Sequence, residues 1–234
     1  MRDDTELCAA YRDARRDATD GGYVPMLIKV DEVLWECLIM NSDPDSDGED
    51  DYRFDAAAVA AYRREQLSRE LPDGREILKR YLSDRREEAE DDEIDWDREL
   101  VGAVAGGEEI DCFAAYRDYR SEETAPVILA KIPVKHAWEI FAYLPFGGWN
   151  DCPGTEELMA VTKYWEERYG ARPSTMSHDE LEFLLPAPMP ENSALELALE
   201  HYGFCPDVYQ GGDYPLGALA DSLSRSKIWY FWWD

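Results

Sequence analysis

The sequence predicts an α+β fold, a mixed or antiparallel sheet with helices packed on it. Three observations lead there. The chain has 234 residues with 45% hydrophobic content, enough to bury a substantial core. Stretches with helical periodicity alternate irregularly with β-branched apolar runs, without the regular strand–helix period of a doubly wound sheet. The last stretch, SKIWYFWWD, places five aromatic residues in a row, Trp229 to Trp233, before one carboxylate.

The elements follow in order. Residues 5–18 form an amphipathic helix with Leu7, Tyr11 and Ala14 on one side, ended by Gly21-Gly22. YVPMLIKV reads as a strand and DEVLWECLIM as a helix or strand leading into the acidic loop 41–51. A helix spans about 55–70, carrying Ala58, Val59, Tyr62 and Leu67, and stops at the turn signal Pro72-Asp73-Gly74. The second acidic stretch, 83–99, has little periodicity and is expected as a solvated helix surface or a mobile connector. These features make up an N-terminal α+β region, 1–124.

From Ala125 the texture changes, which sets a second domain at 125–234. APVILAKIPV is a strand, and WEIFAYLPFGGWN is expected to continue extended up to the Gly147-Gly148 turn. Leu158, Val161 and Trp165 mark a helix over 155–169 with Gly170 as its C-terminal cap. TMSHDELEFLLP reads as one strand or a tight hairpin. A capping-box pattern, Ser193 with Glu196, opens a helix whose apolar stripe is Leu195, Ala198, Leu199 and Tyr202. A short helix over 216–223 precedes the aromatic strand.

That strand answers whether the aromatic tail is a surface or a core. Exposing roughly 1000 Å² of aromatic surface would forfeit more than a domain's whole net stability of about 5–15 kcal/mol. Alternation places Ile228, Tyr230 and Trp232 on one face and Trp229, Phe231 and Trp233 on the other. Both faces are apolar, which predicts a strand interior to the sheet.

Charge bounds the function. The net charge is −28, with 52 acidic residues against 24 basic ones, which disfavours direct nucleic-acid binding and favours a basic protein partner or a solvated acidic surface. The N-terminus lacks the apolar core of a signal peptide, and there is no run of about 18 apolar residues. Five dispersed cysteines without a CxxC pair argue against a disulfide framework or zinc site. A cytoplasmic protein with no membrane association is expected.

Candidate chemistry is sparse. Cys152 precedes a helix, whose amides favour a thiolate, while Asp151, Glu156 and Glu157 oppose one. Cys205 follows a helix end beside Asp207, which disfavours ionisation and suits a structural role. His178 and His201 are the histidines that could serve a cysteine as base. Asp179 neighbours His178, but alternation in a strand would turn the two apart. Asp43, Asp45 and Asp47 match the start of a calcium loop, but its twelfth position is Phe54 rather than a bidentate glutamate. No phosphate-binding glycine loop, nucleophile elbow or zinc-protease motif is present, and no cofactor is expected.

The motifs PFGGWNDCP, YWEERYGA, HDELEF, ALEHYGFCPD and WYFWWD, in that order over about 126–234, resemble the bacterial domain-of-unknown-function 4253 family (DUF4253). Residues 20–82 resemble the amino-terminal part of its longer members more weakly. The resemblance implies a bacterial cytoplasmic α+β protein and no particular activity. Within the motifs, Trp149, Asn150, Asp207 and Trp233 are the candidate binding residues. The leading expectation is a non-enzymatic module binding a basic protein, as immunity proteins do with nuclease toxins. The alternative is a thiol-dependent hydrolase or transferase using Cys152 or Cys205 with a histidine.

Overall fold

A computed structural model describes residues 4–43, 54–118, 120, 121, 123–212 and 214–234. The sheet holds it together. Its strands are β1 (Val24–Lys29), β2 (Val127–Ile132), β3 (Arg172–Met176), β4 (Glu180–Leu184) and β5 (Ile228–Trp232), in the order β2-β1-β3-β4-β5. β1 runs parallel to β3 and antiparallel to β2, while β3–β4 and β4–β5 are antiparallel, so the sheet is mixed. The fold crosses the change of texture near residue 125, because a strand from the first half lies between two from the second.

Seven helices surround it in the described residues: α1 (Thr5–Gly21), α2 (Glu32–Ser42), α3 (Ala56–Ser68), α4 (Gly74–Asp91), α5 (Thr155–Tyr169), α6 (Glu191–Phe204) and α7 (Leu216–Leu223). Short polar side chains start several of them: Asp31, Asp55 and Asp73 accept from the first free amides of α2, α3 and α4. Gly22 and Gly170 end α1 and α5 in the left-handed conformation, at φ 64° and 69°. Gly74 lets α4 approach α5, since a Cβ there would lie 2.2 Å from the carbonyl oxygen of Ala160.

One sheet face carries the main core. Val24, Met26, Met176, Leu181, Phe183, Trp229 and Phe231 meet α5 and α6 through Leu158, Trp165, Leu197 and Phe204, and Leu34, Ile77 and Leu78 from the first half join the same cluster. Trp165 is central: it stacks on Phe231 at 5.6 Å and meets Phe183, Phe204 and Trp229 edge-on. The opposite face is smaller, with Leu27 and Ile228 under Tyr11 of α1 and Phe113 and Tyr116 of the 110–117 segment. Glu182 also lies on that face, fully buried, and accepts from the amides of Ala114 and Ala115 and from the hydroxyl of Thr175. Burial pushes its carboxyl up to about 7 against those three donors.

Three expectations are corrected. The aromatic strand is buried as alternation indicates, with Trp229, Phe231 and Trp233 in the core, but β5 is an edge strand rather than interior to the sheet. Its second face is only half covered, at Tyr230 and Trp232. The segment expected to stay extended after β2 instead winds into a 3-10 helix, Ala137–Ala142, which buries Ala137, Ile140, Phe141 and Ala142. α6 starts at Glu191, two residues before the proposed cap Ser193, with Pro190 at its N-terminus. The acidic stretch 83–99 is the solvated helix surface, one of its two expected forms: it is the exposed end of α4 followed by a π-helical turn, Trp96–Val101, tied down by buried Ala89 and Leu100.

Trp165→Ala should cost about 3–5 kcal/mol of stability, read as a lowered denaturant midpoint with an unchanged slope. An unchanged midpoint would mean that the aromatic cluster is not the main contributor described.

Candidate functional site

The β3–β4 connection, residues 177–179, is a polar turn that shapes the site. Ser177 Oγ donates to Asp179 at 2.9 Å and to Glu180 at 3.0 Å, while the Ser177 amide bonds the Glu180 carbonyl at 3.0 Å. Because the chain bends here instead of running extended, His178 and Asp179 do not point apart. His178 Nε2 lies 3.4 Å from Asp179 Oδ2, which corrects the alternation argument.

The closer carboxylate comes from the other half of the chain. Asp31 Oδ2 is 2.8 Å from His178 Nδ1, and its second oxygen caps α2 by accepting from the Leu34 amide at 2.7 Å. The hydrogen bond to Asp31, then the charge of Asp179, raises the His178 pKa against partial burial. Burial pushes the Asp31 carboxyl up, but the bonds from His178 and Leu34 outweigh it and the net shift is downward. Asp179 also accepts from the Trp232 indole at 3.0 Å, and Glu180 from the Tyr230 hydroxyl at 2.7 Å.

This histidine separates two depressions. On one side a pit of about 340 Å³ is lined by Val33, Cys37, Trp149, Asp179, Trp233 and Asp234. On the other a cleft of about 930 Å³ runs under Lys29, Arg117 and Arg120 to Glu180, Tyr230 and Trp232. The indole nitrogens of Trp149 and Trp233 are buried without a partner among the described residues. Both ring nitrogens of His178 are engaged, by Asp31 and Asp179, and the pit also carries the carboxylates of Asp179 and Asp234.

The structure brings together Trp149, His178 and Trp233 among the residues singled out from sequence. It also makes the GGWNDCP and FCPD segments meet, at the last residue of the sequence. Asn150 Nδ2 donates to the carbonyl of Asp234, and the Asp234 amide donates to Asp207 Oδ2 at 3.2 Å, so Asn150 and Asp207 anchor the tail. Cys205 Sγ donates to the Trp232 carbonyl at 3.1 Å.

The thiol pairings find little support in the geometry. Cys152 and Cys205 are buried; burial carries the Cys152 pKa well above that of a free thiol and, with Asp207 adding to it, the Cys205 pKa up to about 12. His201 is packed among Trp165, Trp229 and Phe231, and burial takes its pKa down to about 3. Cys37 is the thiol that shares a pit with His178, but burial and the charges of Asp31 and Glu36 raise its pKa. Of the proposed calcium ligands, Asp43 caps the end of α2 and Asp45 and Asp47 lie outside the described residues. Among the described residues, no group of three or more His, Cys, Asp or Glu could hold a metal ion.

Sequence reasoning missed Asp31, Cys37, Glu180, Tyr230 and Trp232 as site residues. Asp31 carries a readable signal, an aspartate directly before an apolar run, which marks a helix cap rather than a partner for a histidine 147 positions away.

Residues 128–234 match the family model described as Domain of unknown function (DUF4253), the family that the motifs resemble. The match begins at Ile128 and takes in β3, β4, β5 and the His178 turn, but not β1 or Asp31. No curated protein and no solved structure matches the chain. No helix among the described residues is long and apolar enough to cross a membrane.

Two measurements check this site. By NMR, His178 should titrate above the ordinary value of about 6.5, and Asp31→Asn, which keeps the helix cap, should bring it back down. The stabilisation from the raised pKa is full below that ordinary value and is lost as pH rises through the folded one, so the variant's stability should vary less with pH in that window. In a timed thiol titration, exposed Cys112 should label first, and Cys152 and Cys205 only on unfolding. Fast labelling of either buried thiol would reverse the assignment.

Proposed function

We propose that this protein is a non-enzymatic binding module of the bacterial cytoplasm that captures a basic protein partner, in the way an immunity protein neutralises a toxin. The observation that carries the reading is the acidic surface on α4 and the turn after it. Residues 83–99 present ten exposed carboxylates against three arginines. Two of those arginines are used locally, Arg85 on Glu88 and Asp151 and Arg98 on Asp95 and Glu99. The third, Arg86, lies over the ring of Trp96 at 4.3 Å.

Asp84, Glu87, Glu90, Asp91, Asp92, Glu93 and Asp97 are left without an ion pair among the described residues. They sit on a helix and a fixed turn, so a partner would not have to order them, and their field would steer a cationic surface toward encounter. The buried state of Cys152 and Cys205 supports this reading over a thiol-dependent hydrolase or transferase. The His178 pit and cleft, walled by Trp149, Tyr230, Trp232 and Trp233, supply aromatic contact area of the kind that dominates interface energetics.

Affinity capture from a bacterial lysate at about 50 mM salt should retain a single basic protein, and raising the salt to about 300 mM should release it. Replacing Glu87, Glu90, Asp91 and Glu93 by their amides should weaken that complex about tenfold or more. Capture that survives both changes, or no partner at either salt, would remove the proposal.

A further inference from the structure

β5 ends the sheet, and its outer edge is open in a way that can be read from its register. Leu185 N donates to Lys227 O at 2.8 Å and Trp233 N to Asp179 O at 3.1 Å, one at each end of the β4–β5 pair. In an antiparallel pair the inward-bonding residues alternate, so 227, 229, 231 and 233 spend their peptide groups on β4. Ile228, Tyr230 and Trp232 therefore turn theirs outward. The Trp232 carbonyl is taken by the Cys205 thiol. The amide and carbonyl of Ile228 and of Tyr230, and the amide of Trp232, find no partner among the described residues.

That edge opens into a cleft of about 420 Å³. The 106–110 segment and α7 form one wall, with Leu219 and Leu223 facing inward, and the Pro206–Val208 turn forms the other. The first wall is fixed, because Gly107 lies against α7 so closely that a Cβ would be 2.1 Å from the carbonyl of Ala218. Two buried nitrogens in the lining, His201 Nε2 and Trp229 Nε1, have no hydrogen-bond partner among the described residues, and their residues are 1% and 0% exposed. Burial keeps the His201 imidazole neutral, so it offers a polar atom without a charge. Two carboxylates, Glu108 and Asp207, also line the cleft.

We infer that this cleft receives an extended segment of a protein partner, which adds a strand to the free edge of β5. Unpaired backbone groups at two-residue spacing, between walls that hold a chain in place, are the features of strand addition. The orphaned nitrogens of His201 and Trp229 call for an apolar side chain with a polar end, inserted past Leu219 and Leu223. Glu108 and Asp207 call for a lysine or arginine beside it. A second copy of this chain fits less well, because each copy carries a net charge of −28 and would bring carboxylates against carboxylates.

The inference rests on the proposed binding role and assigns the partner's contact to a second surface, distinct from the acidic face of α4. The test uses a displayed library of random dodecapeptides, selected on the immobilised full chain. Enriched peptides should carry an aromatic or aliphatic residue flanked by Lys or Arg, and should protect the amides of Ile228 and Tyr230 from hydrogen exchange. Gln210 is an exposed lining residue, and Gln210→Trp should close the cleft and weaken peptide binding about tenfold. Glu108→Lys, also at an exposed position, should weaken it in the same direction.

No enrichment, or binding that Gln210→Trp leaves unchanged, overturns the inference. If peptide binding fails while salt-sensitive capture of a basic protein persists in Gln210→Trp, the edge assignment falls and the binding role stands. Concentration-dependent dimerisation that Gln210→Trp abolishes would overturn it in another way, by giving the edge to a second copy.

Discussion

The aromatic packing between β5 and the α5–α6 pair is the contact on which the rest of the structure depends. Trp165 sits where β4, β5 and α6 converge, with Phe231 stacked on it and the rings of Phe183, Phe204 and Trp229 around it. Offset and edge-on contacts of this kind are directional, so the cluster fixes the angle of the helices as well as their distance from the sheet. The fixed helix ends follow from it. Cys205 closes α6 against the last strand, and Pro206–Val208 then folds back as one wall of the edge cleft.

The same arrangement explains why the polar groups gather on the opposite face. With the core face filled by rings, the alternate residues of the sheet form a row from Leu129 through Leu27, Thr175 and Glu182 to Tyr230. Two apolar residues, a hydroxyl, a carboxylate and a phenol follow one another across the strands. Burial of Glu182 is tolerable because three donors converge on it, and the two amides among them pin the 110–117 segment that covers the face. His178 lies in the turn that joins β3 to β4 and is held by groups from both halves of the chain.

Much of the fold was legible from periodicity. α5 and α7 fall where their apolar spacing puts them, and the faces of β5 divide as alternation requires. Errors arose where a tertiary contact outweighed local pattern. The 137–142 stretch is aromatic and β-like in composition, but four of its six residues are needed in the core at helical spacing. β5 is apolar on both faces, as an interior strand would be; at the edge, the 106–110 segment, the Pro206–Val208 turn and α7 flank it without pairing with its peptide groups. At the site, His178 could be read from sequence and Asp31 could not. Their contact joins residues from opposite halves of the chain, and each has a local role that accounts for it separately.

The position of β1 bears on how such a chain is made. It leaves the ribosome long before β2 at 127–132 and β3 at 172–176, the two strands that flank it. At about 5–20 residues per second, synthesis takes on the order of 5–30 s to supply both neighbours. During that interval Met26 and Leu27 belong to an apolar strand with two bare edges, a species open to pairing with other nascent chains. The acidic stretches 41–51 and 83–99 are both synthesised within that interval, and like charge of this kind opposes association between unfinished chains.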